Sequence, residues 1–482
     1  MCIVWKPAIF QLSEACFLSV KNKIDWFSDS AGIRLIPDAF FVCLKNGHNL
    51  FYPIITTELP STEKRTIMKL LSLFALIALC AMACSQPAVS QQQPEVLNGL
   101  DVLEQNQFAE LEGKRVGLIT NATGVNKDLI SNIDLLHQSE NVQLVALFGP
   151  EHGVRGDINA GDYVETYIDE KTGITVFSVY GATRKPTQEM LEGIDVLIYD
   201  IQDVGSRSYT FISTMGLAME AAAEKGIEFM VLDRPNPLGG KIEGNLTEPD
   251  YISFVSQFEI PYVYGMTSGE LARMLNAEGM LNGGMQVDLT VIPMTGWNRS
   301  MSFEDTGLPW VPTSPHIPHR HTAVYYTATG ILGELHTLSE GVGYTMPFEV
   351  FGAPWIDAQL MAERMNNLGL EGITFRPKTW RPYYGRNEGE VLHGVQLYIH
   401  DFSKVNIMSL QFLFMQEHHV LHPDKNPFDT TPARIRMFDR VAGSSTVREL
   451  FSENFLYADV EPFLNKDVAS FRERSQPYYL YP

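Results

Sequence analysis

An α/β fold is predicted for this chain, a parallel sheet with helices on both faces, followed by a smaller α+β domain. Three observations carry the prediction. From Val96 onward short β-branched apolar runs alternate with helical patterns, the order that gives parallel strands joined by right-handed crossovers. Several of those runs end in polar clusters, as strands do when they open onto a ligand crevice at their carboxyl ends. The alternation then stops at residues 307–319 (GLPWVPTSPHIPH), whose four prolines fit no regular element.

In chain order, candidate strands are residues 115–120, 143–148, 174–180, 195–200, 228–233 and 288–293. They are short and apolar throughout, as strands buried on both faces are. Candidate helices between them are 128–138, 187–191, 209–225 and 268–277. Beyond the proline-rich segment a helix is expected near 357–367 and a strand near 394–400. The boundary between the two domains is placed at 305/306, giving 96–305 and 306–482. There is no internal repeat.

The chain has 482 residues, enough for two or three domains. It is 45% hydrophobic and 19% charged, an ordinary globular balance. Its formal charge is −21 and its pI about 5.0, which excludes nucleic-acid partners, whose phosphates call for basic patches. The five cysteines are Cys2, Cys16, Cys43, Cys80 and Cys84. None follows Cys84, so a disulfide framework, a zinc ribbon and a cysteine nucleophile are absent from the body of the chain.

Residues 68–83 (MKLLSLFALIALCAMA) pair Lys69 with an apolar run broken only by Ser72. The run is too short to span a bilayer but suits a signal-peptide core. Ala81 and Ala83 precede Cys84, and residues 85–93 (SQPAVSQQQ) read as a tether. The arrangement is similar to a bacterial lipoprotein signal, although Ala81 stands where leucine is usual. Export is therefore expected, as a periplasmic or outer-membrane lipoprotein anchored at Cys84, or alternatively as a secreted protein. The 67 residues upstream are read as an extension from a start placed too early, Met68 being the initiator. A cytoplasmic domain on an anchor would need a longer span.

Three strands lead into polar loops: Phe148 into GPEHG (149–153), Tyr199 into DIQDVGSRSY (200–209) and Leu232 into DRPNP (233–237). On adjacent parallel strands Glu151, His152, Asp200, Gln202, Asp203, Arg207, Tyr209, Asp233, Arg234 and Asn236 converge on one sheet edge. A plainer role exists for each, since an Asp after a strand also caps turns and helices. That applies to Asp233 and to one of Asp200 and Asp203. Glu151 lies between Pro150 and His152-Gly153, in a loop with no helix to cap, and is the stronger chemical candidate. His152 either positions it or fills a polar niche. The first strand is followed by NATGVN (121–126), with one glycine where a dinucleotide fingerprint needs three, and no P-loop occurs. The sheet is thus Rossmann-like without the cofactor, and none is expected.

Together GPEHG, YDIQDVGSRSYT, LDRPNPLGG with Glu243-Gly244-Asn245, PYVYGMTSGELA, SPHIP, LSEGVGYTMPFEVFGAPW and Phe375-Arg376-Pro377 resemble the exo-β-N-acetylmuramidase family, often called NamZ-type. The resemblance runs from about Leu97 to the C-terminus. It implies a Rossmann-like domain, a smaller C-terminal domain and a cleft between them that releases non-reducing-end N-acetylmuramic acid from peptidoglycan glycans and muropeptides. The glutamate of the family's Glu-His-Gly motif, a proposed acid, falls on Glu151. His316 and Val342 depart from the family's usual Asn and Arg.

Glycoside hydrolysis usually takes two carboxyl groups, one protonating the leaving oxygen and one acting as base or nucleophile. With Glu151 as acid, Asp200 ranks first as partner, then Asp233 and Asp203, with Glu243 and Glu340 further out. Attack by the sugar's own 2-acetamido group is the alternative. The lactyl carboxylate of muramic acid calls for a cation, best a bidentate arginine, and Arg207 and Arg234 are the candidates ahead of Lys241. Two other readings stay open. One is a metal-dependent hydrolase built on Glu151, His152, Asp200 and Asp203, without an HExxH spacing to support it. The other is a muropeptide-binding lipoprotein without turnover.

Overall fold

The computed structural model describes residues 95–156 and 165–482, together with the backbone of Leu44–Lys45 and His48–Asn49, which pair antiparallel. The rest of the upstream extension, the signal-like run, Cys84 and the tether lie outside the described residues. The described residues from 95 onward belong to one compact unit. Among the described residues no helix is long and apolar enough to cross a membrane.

The main sheet has β1 (Arg115–Thr120), β2 (Gln143–Gly149), β3 (Tyr167–Ile168), β4 (Thr175–Ser178), β5 (Val196–Asp200), β6 (Glu228–Leu232) and β9 (Leu289–Ile292). Their order is β9-β6-β5-β1-β2-β4-β3, all parallel except the short edge strand β3. The chain builds outward from β1 through β2 and β4, then crosses back to lay β5 on the other side of β1. That reversal is the switch point where open α/β sheets form a crevice. β2 and β5, which carry the Glu151 and Asp200 loops, flank it.

Side chains alternate across the sheet with the two-residue period of a strand. Val116, Leu118, Leu147, Val196, Ile198, Met230 and Leu232 pack on one face with Leu100 and Leu103 of α1 (Gly99–Gln105) and Ile133 and Leu136 of α2 (Asn132–Gln138). Ile119, Phe148, Leu197, Tyr199, Phe229 and Val231 pack on the other with α3 (Phe211–Lys225) and α4 (Ser268–Ala277). Helix α4 matches its expected span and starts in a capping box between Thr267 and Glu270, which satisfies two orphan donors reciprocally.

The helix expected at 187–191 does not form. One helical bond closes, from Leu191 N–H to the Thr187 carbonyl at 3.2 Å, before Gly193 turns the chain at φ 76°. Helix α2 begins at Asn132 rather than 128, because Ser131 supplies its cap.

A two-stranded ribbon, β7 (Ile242–Glu243) with β8 (Val263–Tyr264), precedes the second half of the chain. There α5 (Arg320–Gly333), α6 (Ala358–Asn367) and α7 (Ser409–Leu421) pack around a three-stranded antiparallel sheet, β10 (Val350–Ala353), β12 (Leu392–Ile399) and β11 (Ile373–Trp380) in that order. Four helices follow that the sequence reading did not resolve: α8 (Pro432–Ala442), α9 (Ser445–Asn454), α10 (Tyr457–Asn465) and α11 (Val468–Ser475). The last residues return to the first sheet, where the Tyr481 hydroxyl donates to Asp233 at 2.6 Å and Arg299 N–H to the Pro482 carbonyl at 3.0 Å.

Candidate active site

Strand β2 runs into a tight turn, closed by Gly153 N–H to the Pro150 carbonyl at 3.0 Å. His152 occupies the left-handed region at φ 74°, unfavourable for a side chain bearing a Cβ and held here by its surroundings. The turn leaves Glu151 half-buried at the mouth of the crevice. Val179 N–H donates to the Gly149 carbonyl at 2.9 Å and so fixes the loop after β4 alongside. From that loop Tyr180 donates its hydroxyl to Glu151 Oε1 at 2.8 Å. Burial first, and then the bond to Glu151, push the Tyr180 phenol well above its ordinary range, so it stays a neutral donor.

Glu151 lines a cavity of about 570 Å³, within the usual span of small-ligand sites. Its walls come from both halves of the chain. Ser208, Tyr209, Thr210 and Phe211 lie where the loop after β5 enters α3. That places the start of a 15-residue helix without a side-chain cap against the cavity, a position that favours negative charge. Ser314, His316 and Ile317 come from the proline-rich segment, Tyr326 and Glu334 from α5 and its C-terminal cap, and Arg440 from α8. Tyr209 and Tyr326 pack edge to face with centroids 5.4 Å apart. Their hydroxyls bond Thr313 at 2.7 Å and Ser208 at 2.9 Å. Glu151 and Glu334 line the same cavity as this aromatic pair. Burial raises the Glu334 carboxyl above the ordinary glutamate value, against Arg434 and Arg386. His316 is lowered, first by burial and then by His152, and its Nε2 bonds the Tyr384 hydroxyl at 2.8 Å.

Of the residues expected to converge, Glu151, His152 and Tyr209 line this cavity. The others do not. Asp200, expected as the second carboxylate, is fully buried and accepts both Arg234 Nε at 2.6 Å and Arg234 NH2 at 3.0 Å, with Asn132 Nδ2 at 2.8 Å. Its oxygens are occupied, and so is the Arg234 fork that was expected to read a substrate carboxylate. Arg207 is also fully buried, donating to the carbonyls of Asn245, Ile260 and Val441 at 2.8, 2.6 and 3.1 Å. Lys241 pairs with Glu243 at 3.3 Å, and Glu243 also accepts Met408 N–H at 2.9 Å, tying the ribbon to α7.

Asp233 accepts Thr267, Gly269 and Tyr481, and burial raises it to about 6. Asp203, likewise raised by burial to about 6, caps its own loop through Gly205 N–H and takes the Tyr264 hydroxyl, each at 2.8 Å. Gln202 donates to the Asp203 and Pro235 carbonyls. Asn236 bridges Met266 and Leu238 beneath Gly205, where any Cβ would collide with it. Glu340 pairs with Arg386. These side chains build the loops rather than the cavity wall. Among the described residues no three His, Cys, Asp or Glu side chains are grouped to hold a metal ion, so the set Glu151, His152, Asp200 and Asp203 does not form one site.

Comparison with known proteins bears on the whole described body. Residues 116–321 match the model of the N-terminal domain of exo-β-N-acetylmuramidase NamZ, and residues 324–481 that of its C-terminal domain. The peptidoglycan β-N-acetylmuramidase NamZ of Bacillus subtilis (strain 168) is 43% identical over 422 residues, covering 87% of this chain and 100% of that protein. Two crystal structures of DUF1343 family proteins from Bacteroides fragilis NCTC 9343 share the fold. One is 55% identical with a TM-score of 0.78, the other 27% identical with a TM-score of 0.62. Each match covers 80% of this chain and 99% of the solved one. With both domain models matched in sequence and the same architecture in solved relatives, the chain belongs to the exo-β-N-acetylmuramidase NamZ family.

Proposed function

We propose that this protein is an exo-acting glycoside hydrolase that releases N-acetylmuramic acid from the non-reducing ends of peptidoglycan fragments, muropeptides included, with Glu151 as general acid. One observation carries the assignment of roles: among the described residues, Glu151 and Glu334 are the two carboxyl groups lining the cavity, together with the Tyr209–Tyr326 pair. Tyr180 donates to Oε1 of Glu151, and the proposed mechanism assigns delivery of the proton to Oε2. In the proposed step that proton passes to the glycosidic oxygen as its bond to C1 breaks. Glu334 takes a proton from the water that attacks C1, and the products are free sugar and the shortened glycan.

The deciding assay follows free N-acetylmuramic acid from a disaccharide and from longer glycans. Monosaccharide should appear from the first time point, while the remaining strands shorten one sugar at a time. Strands that fall sharply in length before monosaccharide appears would show endo-cleavage instead, and loss of turnover on chelation would show a metal hydrolase. For Glu334, the acid limb of kcat/KM should lie above the ordinary glutamate range, because activity is lost only as the base gains its proton. Glu334→Gln should remove that limb and lower kcat/KM by about 10²–10⁴-fold. An unchanged limb in this variant would assign the base elsewhere.

The export signal read from residues 68–84 is consistent with a wall substrate. We propose lipidation at Cys84, with plain secretion as the alternative. Metabolic labelling with a lipid precursor should mark the wild-type chain and not Cys84→Ala; equal labelling of the two, or none, would favour secretion.

A further inference from the structure

We infer that the cavity contains a carboxylate subsite built on Arg184, which reads the lactyl arm of the substrate sugar; the inference rests on the glycosidase reading above. A carboxylate is read best by a cation. The three that the sequence offered are committed to protein partners: Arg207 to carbonyls, Arg234 to Asp200, and Lys241 to Glu243 and the Val405 carbonyl. Two others, Arg184 and Arg440, line the cavity. Among the described residues neither forms an ion pair, while their neighbours Lys185 and Arg448 both do.

Position separates these two. The lactyl arm and the scissile C1 belong to the same sugar ring, so the reading cation has to stand on the wall that carries the acid. Arg184 does. Its guanidinium lies 4.3 Å from the centroid of Phe254, the Phe254 ring packs against Tyr180 at 6.5 Å, and Tyr180 holds Glu151. These four side chains form one continuous wall, and all four line the cavity. Stacking engages the flat face of a guanidinium and leaves its N–H edge free. That edge is the part that pairs with a carboxylate in two parallel bonds. Arg440 reaches the cavity from α8, with none of these contacts to the acid's wall. Phe254 therefore acts as a positioning residue, fixing the plane in which Arg184 presents its donors.

The test compares three aryl glycosides: N-acetylmuramide, its lactyl methyl ester and N-acetylglucosaminide. The wild type should prefer the acid to the ester by about 10- to 100-fold in kcat/KM, the range of a charge-assisted bond. Arg184→Ala should erase that preference by lowering activity on the acid alone, and Arg184→Lys should restore part of it as a point charge without the fork. Arg440→Ala should keep the wild-type acid-to-ester ratio. An Arg184→Ala enzyme that still prefers the acid, or an Arg440→Ala enzyme that no longer does, overturns the assignment. Should the wild type cleave none of the three, the glycosidase reading falls. Calorimetric binding of free N-acetylmuramic acid to wild type and Arg184→Ala then still decides for or against the subsite.

Discussion

Glu151→Gln is expected to lower kcat on a muramic acid–glucosamine disaccharide by about 10²–10⁴-fold, the usual contribution of a positioned proton donor. The substitution keeps the size of the side chain and an oxygen able to accept the Tyr180 hydroxyl, which stands at 2.8 Å in the wild type. The turn at Gly149–Gly153 should therefore survive, and the loss should reflect chemistry. A leaving group that departs without protonation provides the control. On an aryl muramide with a strongly acidic phenol, Glu151→Gln should lose far less than on the disaccharide. Glu334→Gln should lose about as much on either, because the attacking water needs its base whatever departs. If Glu151→Gln lost the same factor on both substrates, Glu151 would be the base or nucleophile and the two roles would exchange.

Glu151 was legible in the sequence for a physical reason. It follows a buried apolar run, lies between Pro150 and Gly153, and has no helix start to cap, so a structural role was hard to give it. The sheet was legible too, since six β-branched runs alternating with helical patterns give parallel strands with right-handed crossovers, which leaves few topologies. Asp200 shows where the same reasoning fails. The carboxyl end of a strand points toward the crevice, but the strand's last residue is still inside the sheet, and Asp200 pairs there with β1 through Thr120. Its partners, Asn132 and Arg234, lie 68 and 34 residues away, a closeness no local pattern reveals.

Glu334, Arg184 and Arg440 were missed for the complementary reason. Each belongs to a helix end, a loop or a helix face with no motif, and only tertiary packing brings it to the cavity. The helices after residue 408 did carry readable signals: Thr431 and Ser444 as N-caps and Gly443 as a left-handed C-cap at φ 78°. A search for caps as well as periodicity would have placed them.

The Asp200–Arg234 pair supplies the second large effect, in stability. Both groups are out of solvent, Asp200 fully and Arg234 at 6% exposure, and the contact is bidentate. Removing one partner strands the other charge in the protein, which costs about 3–5 kcal/mol, whereas replacing both is often close to neutral. Arg234→Met and Asp200→Asn should each lower the urea midpoint accordingly. In the double variant most of the loss should return, because the introduced carboxamide oxygen can still accept from the side-chain amide of Asn132 and no charge is left buried. Activity follows from this placement. At a temperature where the single variants remain folded, their kcat on the disaccharide should stay within a few-fold of wild type, since neither side chain lines the cavity. A folded Asp200→Asn protein with an unchanged urea midpoint and no turnover would mean that this carboxylate reaches the substrate after all, and the second carboxyl would have to be reassigned from Glu334 to Asp200.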